Sequence, residues 1–495
     1  MSPGVLKPAR ARADVREAME VGSIARAPRR VRLVDERSRR RPPLLVFVVA
    51  LVGVVVLGLA PYEIAPDTWL LLVAGREIAT GGLPSHDHLV ALAHGGRWVD
   101  QQWLSQLLAY ALVRVGGLKL VLLVFAAALT AAFGLSLAAA RAAGASARSI
   151  LVVALPCLIA APWALQLRAQ GLVLPLFTGL LWLLAAESRR PSARIALALP
   201  LLVLWANLHG SVVVGAALVV LYALTAFRRR RGLSVALLIA APASILASPY
   251  ALRLVGYYHG MVGDRLLARY NVEWQPTSWQ NGKLFFVLAL AAIWLIARHG
   301  TRLTRFEQLA VVLLIVVALT AIRNVSLFAF ALPALAPAAL DDAWPAADTG
   351  VERSRLLTWL ARAGVAALAL TVIVVARRPQ EWVLQQWPVR AADQVYATAA
   401  ADAGARVFAS DRYADWLLWR YPSLAGRVAY DSRVELLSER QLRALTENRA
   451  GAARDYRILL LDPHHDRALQ ASVQAERGVR AGLASEAVVL VRPRR

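Results

Sequence analysis

Carboxylates, amides and aromatic side chains concentrate in one stretch of the sequence, residues 62–117. Its polar and aromatic members include Asp67, Asp87, His88, Asp100, Gln102 and Trp103. A carboxylate within reach of a hydroxyl group can accept its proton and so act as a general base. Asp67 follows an apolar run by only six residues, which predicts a position near a membrane interface.

A second set of candidate residues lies at the ends of later apolar runs or, for Glu273 and Trp274, in the segment 250–283 between two runs. Its members are Arg168, Asn207, His209, Glu273, Trp274, Arg323 and Asn324. Cationic side chains can stabilise the negative charge of a phosphate group. Ionisable residues at the end of a membrane helix are functional candidates by default. Glu273 and Arg323 could equally form a structural ion pair with each other.

The composition is that of a polytopic membrane protein. Of the 495 residues, 58% are hydrophobic and 18% are charged, and the mean hydropathy is +0.51. In a typical soluble domain, about a quarter of the residues are charged. The apolar residues recur in blocks of bilayer-spanning length between residues 44 and 376, which excludes a purely cytosolic enzyme.

The excess of basic residues is concentrated at the N-terminus. The chain has 56 Lys and Arg against 32 Asp and Glu, a balance that could indicate nucleic-acid binding. However, twelve basic and only five acidic residues precede the first apolar run, the position at which basic residues mark the cytoplasmic side. We therefore predict a disordered basic cytoplasmic tail over 1–43 and no nucleic-acid partner. A single cysteine, Cys157, rules out an intramolecular disulfide.

The apolar runs predict a bundle of about eleven membrane spans. They lie at about 44–61, 118–140, 149–166, 170–186, 195–208, 210–227, 232–249, 284–297, 306–322, 325–340 and 356–376. Arginine occupies every second connection except 341–355, where acids outnumber it. The basic-loop rule then places the N-terminus inside and the segments 62–117, 250–283 and 377–495 outside.

The C-terminal segment 377–495 changes character and predicts a small extracytoplasmic α/β domain. Its strand-like runs lie at 406–409, 427–430, 456–461 and 487–491. Ser438 followed three residues later by Gln441 has the spacing of a capping box and predicts a helix start. The charged stretch 430–435 follows a strand and is either a ligand site or a solvated turn, and the solvated turn is favoured.

Two features of the segment 62–117 have structural alternatives. Residues 67–79 predict an amphipathic juxtamembrane helix, in which Asp67 is either the capping residue or a catalytic acid. His86, Asp87 and His88 could bind a metal, but three consecutive residues without a further ligand pattern are more typical of a polar loop. We therefore predict no metal site.

Several of these stretches together resemble a family. The segments Asp67–Leu70, Gly75–Ile78, Gly82–His88 and Arg97–Leu104 resemble GT-C membrane glycosyltransferases, in particular the bacterial branch related to protein O-mannosyltransferases and lipid-A aminoarabinose transferases. Trp205–Gly210, Val272–Pro276 and Arg323–Phe328 are similar to later segments of the same branch. Gln102 departs from the pattern, because a glutamate is expected before Trp103.

This resemblance implies an inverting transfer of a sugar from a polyprenyl-phosphate carrier to a glycan, lipid or protein acceptor, on the outer face of a bacterial inner membrane. It implies that Asp67 is the catalytic acid of the first outer loop, with Asp87 or Asp100 as a second acid. Candidate substrate-binding residues are His88, Gln102, Trp103, Arg168, Asn207, His209, Glu273, Trp274, Arg323 and Asn324. Membrane lipids are expected partners, and the need for a divalent cation stays open.

Two other classes of function are compatible with a polytopic protein. A transporter or lipid-linked-glycan flippase would need polar residues along a midplane pathway or broken helices in repeated halves. The apolar runs are nearly free of charge at their centres, which favours chemistry at the interface. A non-catalytic envelope assembly protein would use the outer domain for docking and would not depend on Asp67.

Overall fold

A computed structural model describes Met1 and residues 43–261, 268–269, 271–345, 355–484 and 487–494. The predicted N-terminal tail, apart from Met1 and Pro43, lies outside the described residues. The helices of the membrane part are α1 (Pro43–Leu59), α2 (Pro66–Gly81), α3 (Trp103–Ala142), α4 (Ala147–Ala160), α5 (Ala169–Arg189), α6 (Ala198–Leu208), α7 (Val212–Ala226), α8 (Arg231–Ile245), α9 (Arg253–Met261), α10 (Trp279–His299), α11 (Arg305–Thr320), α12 (Val325–Leu335), α13 (Pro337–Ala343) and α14 (Arg355–Arg377).

The C-terminal part follows α14 and mixes short helices with strands. Its elements are α15 (Val389–Ala400), β1 (Val407–Ala409), α16 (Asp411–Arg420), α17 (Glu439–Glu447), α18 (Arg449–Ala452), β2 (Ile458–Leu461), α19 (Arg467–Gln474), β3 (Arg480–Ala484) and β4 (Ala487–Val491). Short 3₁₀ turns separate many of the helices, among them Val272–Trp274 and Ile322–Asn324.

Each predicted apolar run contains a helix, and the protein is a multi-pass membrane protein. Judged by length and composition, five helical stretches of the described residues can cross a membrane: Pro43–Glu63, Trp103–Ala142, Ala169–Arg189, Val272–Arg302 and Arg355–Arg377. Helices α12 and α13 count as a sixth if this pair, bent by 55°, is one span. Others are shorter: the 14 residues of α4 extend about 21 Å, less than a hydrocarbon core of about 30 Å. The number eleven therefore stays a prediction.

The predicted cytoplasmic connections meet one another at one end of the bundle. Arg189 donates through Nε to Oε1 of Glu307 over 2.7 Å, and Asp341 accepts from the hydroxyl and the N–H of Ser146. Arg302 pairs with Asp342 at 2.9 Å. The structure thus brings together connections that the alternating arginines assign to one side, while the side itself stays a prediction.

Four strands form the sheet of the C-terminal part, in the order β1-β2-β4-β3. Strands β1 and β2 are parallel, whereas β4 is antiparallel to both β2 and β3. The predicted strand 427–430 is wrong, because Val428 forms only isolated bridges, to Val407 and to Val90. Strand β3 was missed, since Arg480–Ala484 contains Ala and Gly and no β-branched residue.

The stretch 62–117 is largely helical and shares a hydrophobic core with the C-terminal part. Trp69 on α2 packs edge-on against Trp387 with ring centroids 5.0 Å apart, and both are buried. A Cβ at Gly75 would come within 2.1 Å of the Gln106 carbonyl oxygen, so only glycine allows α2 to pack this closely against α3. The described residues from Pro43 onward form one compact unit, and the boundary at 377 stays a prediction.

The structure corrects two local predictions for α2. Its N-cap is Ala65, and Asp67 is the second residue of its first turn. The helix is buried over Thr68–Gly75 and is therefore not a helix lying on the membrane surface. The predicted helix start at Ser438 is confirmed, since its hydroxyl accepts from the N–H of Gln441 in the first turn of α17.

Candidate active site

The position of Asp67 is set by hydrogen bonds from the residue beside it. The Thr68 hydroxyl donates to the carbonyl oxygen of Leu167 and accepts from the N–H of Ala65. Leu167 in turn donates its N–H to the carbonyl oxygen of Glu63 over 3.1 Å. These bonds join the start of α2 to the segment before α5. Asp67 therefore lies beside Arg168, and its side chain is 38% exposed.

Arg168 connects two carboxylates that are far apart in sequence. Its Nη1 atom lies 3.5 Å from Oδ2 of Asp67 and also contacts Oε2 of Glu273. The other oxygen of Glu273, Oε1, accepts from Nη1 of Arg323 over 3.2 Å. We call Asp67, Arg168, Glu273 and Arg323 the acid–arginine cluster. All but Asp67 are largely shielded from solvent.

Two short turns hold the Glu273–Arg323 half of this cluster. Thr277 donates its N–H to the carbonyl oxygen of Leu319 (3.2 Å), and Ile322 donates to that of Gln275 (3.0 Å). The guanidinium of Arg323 lies over the Trp274 ring, 4.7 Å from its centroid. The ion pair anticipated from the sequence therefore exists. It is not isolated, however, because Arg168 extends it to Asp67.

A polar cavity of about 550 Å³ lies beside the cluster, between the membrane part and the C-terminal part. Its lining residues are Tyr62, Glu63, Ile64, Ala65, Pro66, Gln166, Arg168, Gln386, Trp387, Ser410, Asp411, Arg412, Arg449, Asp462, His465 and Asp466. Arg168 is the cluster member that lines it. Asp67 is at its edge, as the chain neighbour of Pro66, and does not itself line it.

A narrow apolar crevice lies next to this cavity. It is lined by Val56 and Ala60 near the end of α1, by Phe125 and Leu129 of α3, and by other apolar residues. Gln166 lines both the crevice and the polar cavity. A polar volume with a charged wall thus lies beside an apolar crevice, an arrangement that suits an amphiphilic ligand.

Trp103, Asn207 and His209 are brought together in a hydrogen-bonded frame. The Trp103 indole N–H donates to Oδ1 of Asn207 over 2.9 Å, and the Asn207 amide donates to the carbonyl oxygens of Val203 and Ala247. His209 is buried and its Nδ1 lies 2.8 Å from the Ser211 hydroxyl. The amide of Asn324 likewise donates to a backbone oxygen, that of Val317. These contacts hold the helix ends near the cluster.

The structure places Asp87 apart from the contacts of Asp67. Its Oδ1 lies 2.7 Å from Nη2 of Arg433, and both side chains are buried. Arg433 also contacts Asp431 and stacks on Trp98 with its guanidinium carbon 4.2 Å from the ring centroid. The favoured solvated turn at 430–435 is therefore wrong at its centre, because Asp431 and Arg433 are buried.

Two further residues predicted to bind substrate, His88 and Gln102, contact residues near them in the sequence. His88 is 53% exposed, and its Nε2 lies 2.8 Å from Oε2 of Glu77. Gln102 precedes α3 as its N-cap residue and donates its backbone N–H to Oδ1 of Asp100 over 3.4 Å. Asp100 is buried, and this burial raises its pKa to about 7. None of these contacts reaches the acid–arginine cluster.

Glu435 is a residue near the site that sequence reasoning missed. The residue keeps an exposed surface, while neighbouring protein atoms desolvate its carboxyl group. The resulting desolvation raises its pKa to about 7, and the negative charges of Asp431 and Asp67 add to the shift. The only sequence signal was the concentration of charge after residue 430, which does not say what the charges face.

Both carboxylates of the cluster contact arginine guanidinium groups. Within the described part of the chain, no three or more His, Cys, Asp or Glu residues are grouped so that they could hold a metal ion. Both oxygens of Glu273 face guanidinium groups, which a cation would have to displace. The positive charges that the cluster itself supplies are those of Arg168 and Arg323.

The chain is similar to known proteins in its structure and not in its sequence. No protein-family model matches the chain, and no curated protein matches its sequence. Solved structures of the oligosaccharyltransferase of Archaeoglobus fulgidus are similar. The one tethered to an acceptor peptide has 12% identity and a TM-score of 0.53, covering 91% of this chain and 74% of that one.

Two further structures of the same enzyme agree with this match. The complex with an inhibitory peptide and a dolichol-phosphate has 12% identity and a TM-score of 0.52, over 91% of this chain and 74% of that one. The complex with Zn and sulfate has 12% identity and a TM-score of 0.50, over 90% and 73%. At this identity the likeness concerns the fold. The chain therefore shares the fold of this archaeal oligosaccharyltransferase over most of its length.

Proposed function

We propose that this protein is a membrane glycosyltransferase that moves a sugar from a polyprenyl-phosphate carrier to a hydroxyl group of an envelope acceptor. The observation that carries the proposal is the acid–arginine cluster, in which Arg168 joins the part-exposed carboxylate of Asp67 to a buried ion pair and also lines the cavity. This arrangement combines a proton acceptor with cations at one site.

In the proposed reaction, Asp67 accepts the proton of the acceptor hydroxyl. The oxygen of that hydroxyl attacks the anomeric carbon of the donor sugar. The bond between that carbon and the phosphate oxygen breaks, and the phosphate keeps the electron pair. Arg168 stabilises the departing phosphate directly, since it faces the cavity. Arg323 supports it through Glu273. Attack opposite to the leaving phosphate inverts the anomeric configuration.

The apolar crevice supports a lipid-linked donor. Its lining by α1 and α3 offers an apolar surface for a polyprenyl chain, and Gln166 marks its border with the polar cavity. A phosphate at that border would meet Arg168. The similar oligosaccharyltransferase has been solved in complex with a dolichol-phosphate, which is an amphiphile of the same kind.

The proposed mechanism uses arginine as its cation. A similar structure is a complex with Zn and sulfate, but here both carboxylate oxygens of Glu273 already face guanidinium groups.

We propose that the reaction occurs on the outer face of a bacterial inner membrane. The basis for this location is the arginine in alternate connections.

A reconstituted assay tests the function directly. The purified chain in lipid vesicles is given a radiolabelled polyprenyl-phosphate sugar, and loss of the lipid-linked label is followed with and without an envelope extract as acceptor. Mass spectrometry of envelope glycans from cells with and without the protein then names the product. Wild-type protein that never consumes any of the common polyprenyl-phosphate hexoses and pentoses would contradict the proposal.

A further inference from the structure

The wall of the polar cavity opposite Arg168 belongs to the C-terminal part and is built at one edge of its sheet. Ser410 directly follows β1, and Asp462 directly follows β2. These two strands are parallel, so their carboxyl ends open on the same side. Ligands of α/β folds commonly bind in the crevice at such ends.

The polar groups of this wall are held in fixed positions. The Ser410 hydroxyl donates to Asp466 and accepts from the N–H of Asp462 over 2.8 Å. Asp466 is also paired with Nε of Arg449 at 2.8 Å. Asp462 accepts from the N–H of His464. A ligand would therefore meet a preorganised set of donors and acceptors.

Asp462 of this wall still has hydrogen-bonding capacity. Oδ2 of Asp462 is buried and, among the described residues, has no hydrogen-bond partner. Arg412 forms an ion pair with Asp462, with its Nη1 atom 3.6 Å from Oδ2. This distance is too long for a good hydrogen bond. The Arg412 side chain is 44% exposed. A group that donates to the carboxylate and accepts from the guanidinium would satisfy both, and a hydroxyl group does both.

The charges that line the cavity nearly balance. Its acids are Glu63, Asp411, Asp462 and Asp466, and its arginines are Arg168, Arg412 and Arg449. A strongly anionic or cationic ligand would meet a similar number of like charges. Gln166, Gln386 and His465 add neutral polar groups, and Trp387 adds an apolar surface. A volume of about 550 Å³ is typical of a pocket for a small organic ligand.

We infer that this wall recognises the acceptor of the reaction, and that the acceptor is a neutral, hydroxyl-rich carbohydrate. The inference rests on the proposed function, because it names the acceptor class for the same cavity. Asp462 and Arg412 bind hydroxyl groups of the saccharide. A further hydroxyl is then presented towards Arg168 and Asp67 at the opposite side.

The test measures saccharide binding separately from donor consumption. The full-length protein in detergent is mixed with α-1,6-mannobiose, maltose, lactose or chitobiose, and binding is followed by saturation-transfer NMR. At least one disaccharide should bind to wild type. Asp462→Asn and Arg412→Gln should each weaken that binding about tenfold, the loss expected for a hydrogen bond to a charged group. Glu439→Gln, on the exposed face of α17 outside the cavity, is the matched control and should bind as wild type.

The outcomes are distinguishable. Binding of no disaccharide, or equal binding by wild type and Arg412→Gln, overturns the inference, and the exposed Arg412 keeps this test valid if Asp462→Asn does not fold. Preferential binding of inorganic pyrophosphate or of a short peptide also overturns it. If donor is consumed but no disaccharide binds, only this inference fails. If a disaccharide binds but donor is never consumed, the proposed function fails.

Discussion

Nη1 of Arg168 lies 3.5 Å from Oδ2 of Asp67 while it also contacts Glu273. The separation from Asp67 is longer than that of a strong charge-assisted hydrogen bond, which is about 2.7–2.9 Å. Asp67 is therefore oriented by Arg168 without being enclosed. With 38% of its side chain exposed, Asp67 is the member of the cluster that an incoming hydroxyl can reach.

Replacing Asp67 with Asn should remove catalysis without unfolding the protein. The amide has the size of the carboxylate but cannot accept the proton, and Asp67 makes no capping hydrogen bond whose loss would destabilise α2. We expect transfer to fall about 10²- to 10⁴-fold. The measurement is the transfer rate together with the thermal midpoint of each purified protein. Transfer at the wild-type rate by Asp67→Asn would remove Asp67 from the mechanism.

Asp87→Asn is expected to behave differently, as a stability variant. Asp87 lies in a buried ion pair with Arg433, and weakening a buried pair is costly, by several kcal/mol when a charge is left without a partner. Asp431 still contacts Arg433, so we expect a loss of roughly 1–3 kcal/mol. Thermal unfolding measures the loss, and transfer per folded molecule should stay near wild type. An equal collapse of transfer in Asp67→Asn and Asp87→Asn would instead show that the two carboxylates act together.

The two arginines of the cluster should respond unequally to replacement by Lys. Arg168 contacts both carboxylates and lines the cavity, whereas Arg323 contacts Glu273 and Trp274. A lysine ammonium cannot reproduce two contacts of a planar guanidinium. We expect Arg168→Lys to raise the KM for the lipid-linked donor and lower kcat, by about tenfold or more each. Arg323→Lys should have the smaller effect, and the reverse order would place the phosphate on the Arg323 side.

Much of the membrane part follows from local sequence patterns. The apolar runs predicted where helices lie, because hydrophobic blocks of this length leave few alternatives. The sequence predicts Asp67, Arg168 and Arg323 as candidates because they are ionisable residues near helix ends. Glu273 is a candidate because its outer-loop segment resembles the family. Their joining through Arg168 was not predicted, since it depends on how α2, α5 and two 3₁₀ turns pack.

The contacts that could not be predicted from the sequence join residues that are distant from each other along the chain. The Asp87–Arg433 pair joins the stretch 62–117 to the C-terminal part, and no local pattern marks a carboxylate for an arginine so far along the chain. The same holds for the shared core around Trp69 and Trp387. Segment 427–430 has the composition of a strand, but its neighbours offer Val428 only isolated bridges.

The orientation of the bundle is tested by reporter fusions. Arg229 lies in a connection rich in arginine, and Gln394 lies on α15 of the C-terminal part. The basic-loop rule predicts opposite sides for them, with Gln394 outside. Fusions of alkaline phosphatase and of green fluorescent protein at each position should therefore give reciprocal signals. Both positions reporting the same side would contradict the predicted topology.

Asp100 should make the stability of the protein depend on pH. Burial raises its pKa to about 7, and Oδ2 has no hydrogen-bond partner among the described residues. Because the folded state holds the proton more tightly than the unfolded chain, the stability contributed by the protonated form is lost as pH rises from about 4 to about 7. Asp100→Asn mimics the protonated form, so its thermal midpoint should change less over this range and equal or exceed that of wild type at pH 8. The exposed Asp455→Asn is the control and should keep the wild-type profile. A parallel profile for Asp100→Asn and wild type would show that Asp100 does not titrate in this range.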